Sequence, residues 1–201
     1  MASPPSACDW HAHSIVRMMA PWRPNYDEKE GGVPRPITIR AAGPAEAEAV
    51  WRLTVEAYRP DRERLHPPSG VFRETVPDVQ RAMDEGTVYV AQCGAAIVGA
   101  VRVQPARDQD ALYCGRLAVL PAARRRGIGA ALMERVERHA GEAGYPAVIL
   151  GVRLERPDNL RFYAQRGYRI VGEESHPGYT TPTFAWLRKD LTEEKKGTST
   201  M

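Results

Sequence analysis

The sequence predicts an α/β (α+β) fold: a mixed, mostly antiparallel sheet of 6-7 strands flanked by about four helices. Three observations predict it. Residues 87–120 hold three runs rich in β-branched and aromatic residues, joined by short turns, which is the pattern of an antiparallel meander. Ile128, Leu132, Val136 and Ala140 recur every fourth residue and give one helix an apolar stripe. That helix lies between two strand candidates, so one parallel pair linked by a right-handed crossover follows.

The folded part is expected from residue 37 to residue 191. Ile37, Thr38, Ile39 and Arg40 alternate as a first strand. Pro44 sits in the first turn of a helix that carries Val50, Leu53, Val55, Ala57 and Tyr58, and Pro60 closes it. Residues 59–75, with Pro67, Pro68, Ser69 and Gly70, read as a long loop. Pro77 opens a short helix that ends at Gly86. Strands follow at 87–92, 96–103 and 111–120, with a turn at Gly94 and a loop at 105–109. After the amphipathic helix, Gly141 and Gly144 mark its end, and residues 147–150 form a short strand of the buried kind. Asp158 or Asn159 caps a last helix running to Arg166, and strands are expected at 168–171 and 183–187.

Composition removes several function classes. The chain has 28 basic and 25 acidic residues, a net charge of +3 that is too mild to argue for nucleic acid. No apolar run approaches the ~20 residues that span a bilayer, so no membrane role is expected. The first residues lack a basic start, and the apolar stretch 15–20 is short and contains Arg17, so a cytoplasmic location is expected. Residues 1–36 are proline-rich and polar and read, like 192–201, as a flexible tail; Met18 or Met19 is an alternative start. Cys8, Cys93 and Cys114 are odd in number and widely spaced, which suits reduced thiols. Cys8, His11 and His13 are isolated in the tail, and no metal is expected.

The chemistry begins where a strand meets the long helix. Gly127 and Gly129 have no Cβ, so a ligand can approach the backbone closely. The first N–H groups of a helix lack internal acceptors and sit at the positive end of its dipole. Arg124, Arg125 and Arg126 add positive field just before them. The combination calls for a phosphate-bearing ligand. It is not a P-loop, because no Lys-Ser/Thr follows the second glycine, and it is not the dinucleotide G-x-G-x-x-G.

The segment Arg124-Arg125-Arg126-Gly127-Ile128-Gly129, after Leu117-Ala118-Val119, resembles the Gln/Arg-x-x-Gly-x-Gly/Ala signature of the GNAT superfamily of acetyl-CoA-dependent N-acetyltransferases. Asn159-Leu160-Arg161-Phe162-Tyr163 and Arg166-Gly167-Tyr168 strengthen the resemblance, which covers residues 37–191. It implies a sheet splayed at its central parallel pair. It also implies acetyl-CoA as cosubstrate, held by the backbone of Leu117, Ala118 and Val119, by Arg124, Arg125, Arg126, Gly127, Ile128, Gly129 and Ala130, and by Asn159.

The resemblance further implies direct transfer of the acetyl group to a primary amine in a ternary complex. Tyr163 matches the position whose phenol faces the coenzyme sulfur as general acid, and a backbone N–H of Leu117 or Val119 would polarise the carbonyl oxygen. The family's strand glutamate is missing from Tyr113-Cys114-Gly115-Arg116, so the base is His176, Glu155 or a water chain. Arg116 either recognises an acceptor carboxylate or points to solvent, and Glu155 is a further candidate on the acceptor side. The acceptor is a small-molecule or peptide amine. A non-catalytic acetyl-CoA-binding sensor or partner module is the competing reading. The resemblance also allows a homodimer through residues 183–187, with a monomer as the alternative.

Overall fold

The structure, a computed structural model, describes residues 36–107 and 109–191. Apart from Pro36, the expected tails lie outside the described residues, as do Cys8, His11, His13 and the alternative starts. Seven strands form one sheet: β1 (Ile37–Ala41), β2 (Thr87–Cys93), β3 (Ala96–Pro105), β4 (Leu112–Val119), β5 (Ala147–Arg153), β6 (Arg169–Glu174) and β7 (Phe184–Asp190). Among the described residues, four α-helices accompany them: α1 (Ala47–Tyr58), α2 (Val76–Asp84), α3 (Ile128–Glu142) and α4 (Pro157–Ala164). The sheet order is β1-β2-β3-β4-β5-β7-β6, and β4–β5 is its parallel pair. The mixed, mostly antiparallel α/β fold is therefore as the sequence predicts. No helix among the described residues is long and apolar enough to cross a membrane.

Local chemistry sets the helix starts. Glu46 accepts from the Gly43 N–H at 2.8 Å and binds Arg40 at 2.7 Å, which fixes the short 3-10 turn leading into α1. Thr75 and Asp78 form the capping box of α2, with the Thr75 N–H on Asp78 Oδ2 at 2.9 Å. At α4 the structure corrects the expected cap. Arg156 holds the cap position, because Pro157 takes the first helical turn, where its missing N–H costs nothing. Asp158 lies inside that turn and binds Arg161 at 2.6 Å.

The core has two sides. On one face of the sheet, Val50, Leu53 and Ala57 of α1 pack with Val88, Val90, Ala100 and Ala118. On the other, α3 buries Ile128, Leu132, Val136 and Ala140, the predicted stripe, together with Met133. Each fully buried Val or Leu contributes roughly 1.5–3 kcal/mol relative to an exposed one. Gly99 lets α3 sit close to β3, since a Cβ there would lie 3.0 Å from Ile128 and 3.1 Å from Leu132.

Two irregularities position the site. β4 and β5 share only the rungs Leu112↔Val148 and Tyr113↔Ile149, and no ladder joins them beyond. β4 also bulges against β3: Ala118 faces Ala100 and Gly115 faces Arg102, which leaves one extra residue in β4. Arg116 sits in that bulge with φ of 55°, the left-handed region that a non-glycine residue seldom enters.

Candidate active site

Where β4 and β5 part, a cleft of about 580 Å³ opens. Leu117, Ala118 and Val119 of β4 line one wall and Leu150, Gly151 and Val152 of β5 the other. Beyond Tyr113, the edge of β4 that faces β5 has no strand partner, so its polar backbone groups look into the cleft. Tyr58 of α1 caps one of them, with its hydroxyl donating to the Leu117 carbonyl at 3.4 Å.

The start of α3 closes one end of the cleft. Gly127 is its N-cap with φ of 77°, and Arg125 two positions earlier has φ of 62°. These turns direct successive N–H groups outward, a geometry that binds anions. Nothing lies within 4 Å of where a Gly127 Cβ would stand. A Gly129 Cβ would stand 3.4 Å from the Phe162 ring and inside the cleft lining. Ile128 is buried in the core, so only its backbone serves the cleft.

The three arginines differ in placement. Arg124 turns inward, donating to Val119 O at 3.1 Å and Ala57 O at 2.6 Å, and so braces the turn against β4 and α1. Arg125 lines the cleft, whereas Arg126 stands outside its lining. Arg166 at the end of α4 stacks 3.7 Å over the Phe162 ring and adds positive charge to the same region.

Tyr163 projects from α4 into the cleft lining. Its ring is 8 % exposed and packs edge-on against Phe162 and Tyr168. Among the described residues its hydroxyl has no hydrogen-bond partner, although it is not sealed in the interior. Burial pushes its pKa well above the ordinary phenol value, so the hydroxyl stays protonated. Asn159, in the first turn of the same helix, is exposed and also lines the cleft. Cys114 is buried, and burial pushes its thiol up to about 12.

The sequence-derived residues thus fall into two groups. Leu117 to Val119, Arg124, Arg125, Gly127 to Ala130, Asn159, Tyr163 and Arg116 meet at the cleft. Arg126, His176 and Glu155 do not line it. His176 Nδ1 is 2.6 Å from Thr183 Oγ1, and burial, with the Arg153 charge, holds its pKa below the usual imidazole value. Glu155 accepts from the His66 N–H at 3.1 Å and from Arg153 at 2.7 Å.

Several cleft residues carry no local signal in the sequence. Asp61, 8 % exposed, pairs with Arg156 across the cleft. Arg153 reaches the carbonyls of Pro67 at 2.8 Å and His66 at 2.6 Å, which pins the long loop after α1 to β5. Glu74 bridges Arg102 and Arg116 at 2.9 and 2.6 Å. The polar, proline-containing composition of residues 59–75 is the one hint the sequence offers.

With this geometry in place, comparisons with known proteins agree with one another. A probable N-acetyltransferase 14 from Danio rerio is 33 % identical over 120 residues, which cover 56 % of this chain and 42 % of that protein. An uncharacterized N-acetyltransferase from Mycobacterium tuberculosis is 33 % identical over 104 residues, covering 52 % and 63 %. The chain thus spans about half the length of the curated relatives it matches. Two solved structures share the fold. An N-acetyltransferase from Staphylococcus aureus has a TM-score of 0.63 at 16 % identity, covering 78 % of this chain and 99 % of that one. A putative acetyltransferase from Salmonella typhimurium, solved with its cofactor acetyl-CoA, has a TM-score of 0.61 at 15 % identity, covering 82 % and 99 %. Residues 48–168 match the acetyltransferase (GNAT) family, more than half of the chain, and the chain belongs to that family.

Proposed function

We propose that this chain is an N-acetyltransferase that transfers the acetyl group of acetyl-CoA to a primary amine in a ternary complex. One observation carries the reading: β4 and β5 separate after two rungs, directly beside the left-handed turn that opens α3. The cleft fits the coenzyme in two ways. An extended arm finds the β5-facing edge of Leu117, Ala118 and Val119, where no strand pairs with β4, and a diphosphate finds the amides of residues 125–130 with no Cβ at Gly127 or Gly129.

Acetyl-CoA supplies an activated acetyl group when bound. The chain's own residues do the rest. The Leu117 or Val119 N–H donates to the carbonyl oxygen as charge builds on it. Tyr163 holds a proton at its hydroxyl and gives it to the sulfur as the C–S bond breaks. The attacking amine loses its proton to water, because the carboxylate in the lining, Asp61, is committed to Arg156, and His176 and Glu155 stand outside. Arg125, Gly127, Gly151 and Asn159 are exposed lining residues, so solvent reaches the cleft.

The test is release of free CoA thiol over a panel of primary amines, run beside calorimetry with acetyl-CoA. Turnover with at least one amine is expected. Tight acetyl-CoA binding without turnover on any amine would move the chain to a non-catalytic, coenzyme-sensing role.

A further inference from the structure

We infer that the amine acceptor carries a carboxylate together with an aromatic or bulky apolar group, which makes it amino-acid-like rather than a plain alkylamine or a polyamine. The inference rests on the transferase reading above and names the substrate class of that site.

The charge balance beside the cleft supplies the first argument. Glu74 lies between Arg102 at 2.9 Å and Arg116 at 2.6 Å. The three side chains are 14 %, 15 % and 34 % exposed for Arg102, Glu74 and Arg116, so two guanidiniums share one carboxylate in a largely dehydrated cluster. One positive charge is left over. Arg102 Nε is buried without a hydrogen-bond partner among the described residues. So is Nε of Arg153, which lines the cleft. Arg116 is the member of the cluster that lines the cleft, and the bulge holds its backbone in place. An anion entering there meets an excess of donors. A second ammonium group, as in a polyamine, meets repulsion.

The second argument is a row of half-buried rings on the same side of the sheet. Tyr113 and Trp186 lie 6.2 Å apart, Trp186 and Phe184 5.4 Å, and Phe184 and His176 5.0 Å, all edge-to-face. Two glycines join this row to the cleft. A Cβ at Gly115 would stand 3.1 Å from the Tyr113 ring, and one at Gly151 3.7 Å from both Phe184 and Trp186. Both glycines line the cleft, one on each diverging strand. With no side chain at either glycine, no Cβ stands between the cleft and the rings behind it, so an apolar group of the acceptor would pack over these two backbones toward the rings. Arg116 and Tyr163 thus border one space, and the ring row stands behind the two glycines that line it, outside the lining itself.

Matched acceptor pairs test this. The wild-type protein is assayed by thiol release with tryptophan against tryptamine, phenylalanine against phenethylamine, and alanine and spermidine as outliers. Each carboxylated aromatic is expected to exceed its amine in kcat/KM by about tenfold or more, and tryptophan to exceed alanine by a similar factor. Arg116→Gln should bring the tryptophan-to-tryptamine ratio near one with the affinity for acetyl-CoA unchanged. Trp186→Ala should do the same for tryptophan against alanine. Because Arg116 also belongs to an ion-pair cluster, the wild-type ratios decide the matter if that variant fails to fold. Equal or better turnover of tryptamine, phenethylamine or spermidine overturns the acceptor class and leaves the transferase reading standing. No thiol release with any amine, while acetyl-CoA binds, overturns the transferase reading and the acceptor class with it.

Discussion

The guanidinium of Arg124 donates to the carbonyl of Ala57 at 2.6 Å, joining the turn before α3 to the last turn of α1. Its Nε also holds the Val119 carbonyl, so one side chain braces both walls of the anion-binding turn. Arg124→Ala should lower the melting temperature by roughly 3–6 °C, since a hydrogen bond from a charged donor contributes about 1.5–3 kcal/mol. Acetyl-CoA affinity should fall by about tenfold in calorimetry. Arg125→Ala, which lacks those bonds, should leave the melting temperature nearly unchanged. Equal thermal losses in the two variants would contradict the bracing role.

Tyr163 gives a pH prediction with a definite sign. Burial raises its pKa, so the acid form persists through the alkaline range rather than failing there. The rate should therefore rise with pH as the amine acceptor loses its proton and should not turn down by pH 9. Tyr163→Phe should lower kcat by about 10²–10³ while the acetyl-CoA affinity stays constant. An alkaline limb below pH 9 that disappears in the phenylalanine variant would show a phenol titrating where the structure says it cannot.

Cys114 sits against the core, its sulfur 3.8 Å from the Met133 sulfur, with its thiol pushed up to about 12 by burial. Proximity to the cleft does not make it a nucleophile, because the thiolate is the reactive form. Iodoacetamide at pH 8 should modify Cys114 at least about 100-fold more slowly in the folded protein than in denaturant. Cys114→Ala should retain acetyl transfer. Rapid labelling of the native protein at this position would refute the packing role.

Glu46 should mark the acid limb of stability. The Arg40 guanidinium first, and the Gly43 N–H next, hold its carboxyl down to about 2 against an ordinary value of 4.5. A depressed carboxylate stabilises the fold above its unfolded pKa and loses that contribution as pH falls toward the folded one. Melting curves should therefore drop more steeply between pH 4.5 and pH 2 in the wild type than in Glu46→Gln. Parallel curves for the two proteins would remove Glu46 from the account.

The sequence makes local features legible. The stripe on α3, the glycines at 127 and 129, and the meander of β2, β3 and β4 follow from spacing within a dozen or so residues, whereas the insertion of β7 between β5 and β6 does not. What it hides is pairing over long separations. Asp61 with Arg156, Glu74 with Arg102 and Arg116, and Arg153 with the 66–67 carbonyls become partners only when the loop after α1 folds across β5. The bulge is hidden for another reason. Its left-handed residue is Arg116, and the usual marker of that conformation is glycine. The α4 cap falls on Arg156 rather than on Asp158 or Asn159, because the preference of Asp and Asn for caps competes with the stronger demand of Pro157 for the first helical turn.

The two-rung union of β4 and β5 has a mechanical consequence. Between them the sheet is held mainly by α3 and by its bordering side chains, so the amides along this seam should exchange sooner than those in the sheet's fully paired ladders. Any extended molecule that lies along β4 there completes an unfinished ladder and knits the halves into a continuous surface. Occupancy and rigidity then become one variable, and slowed exchange along the seam would report, without any assay of chemistry, that the gap is filled.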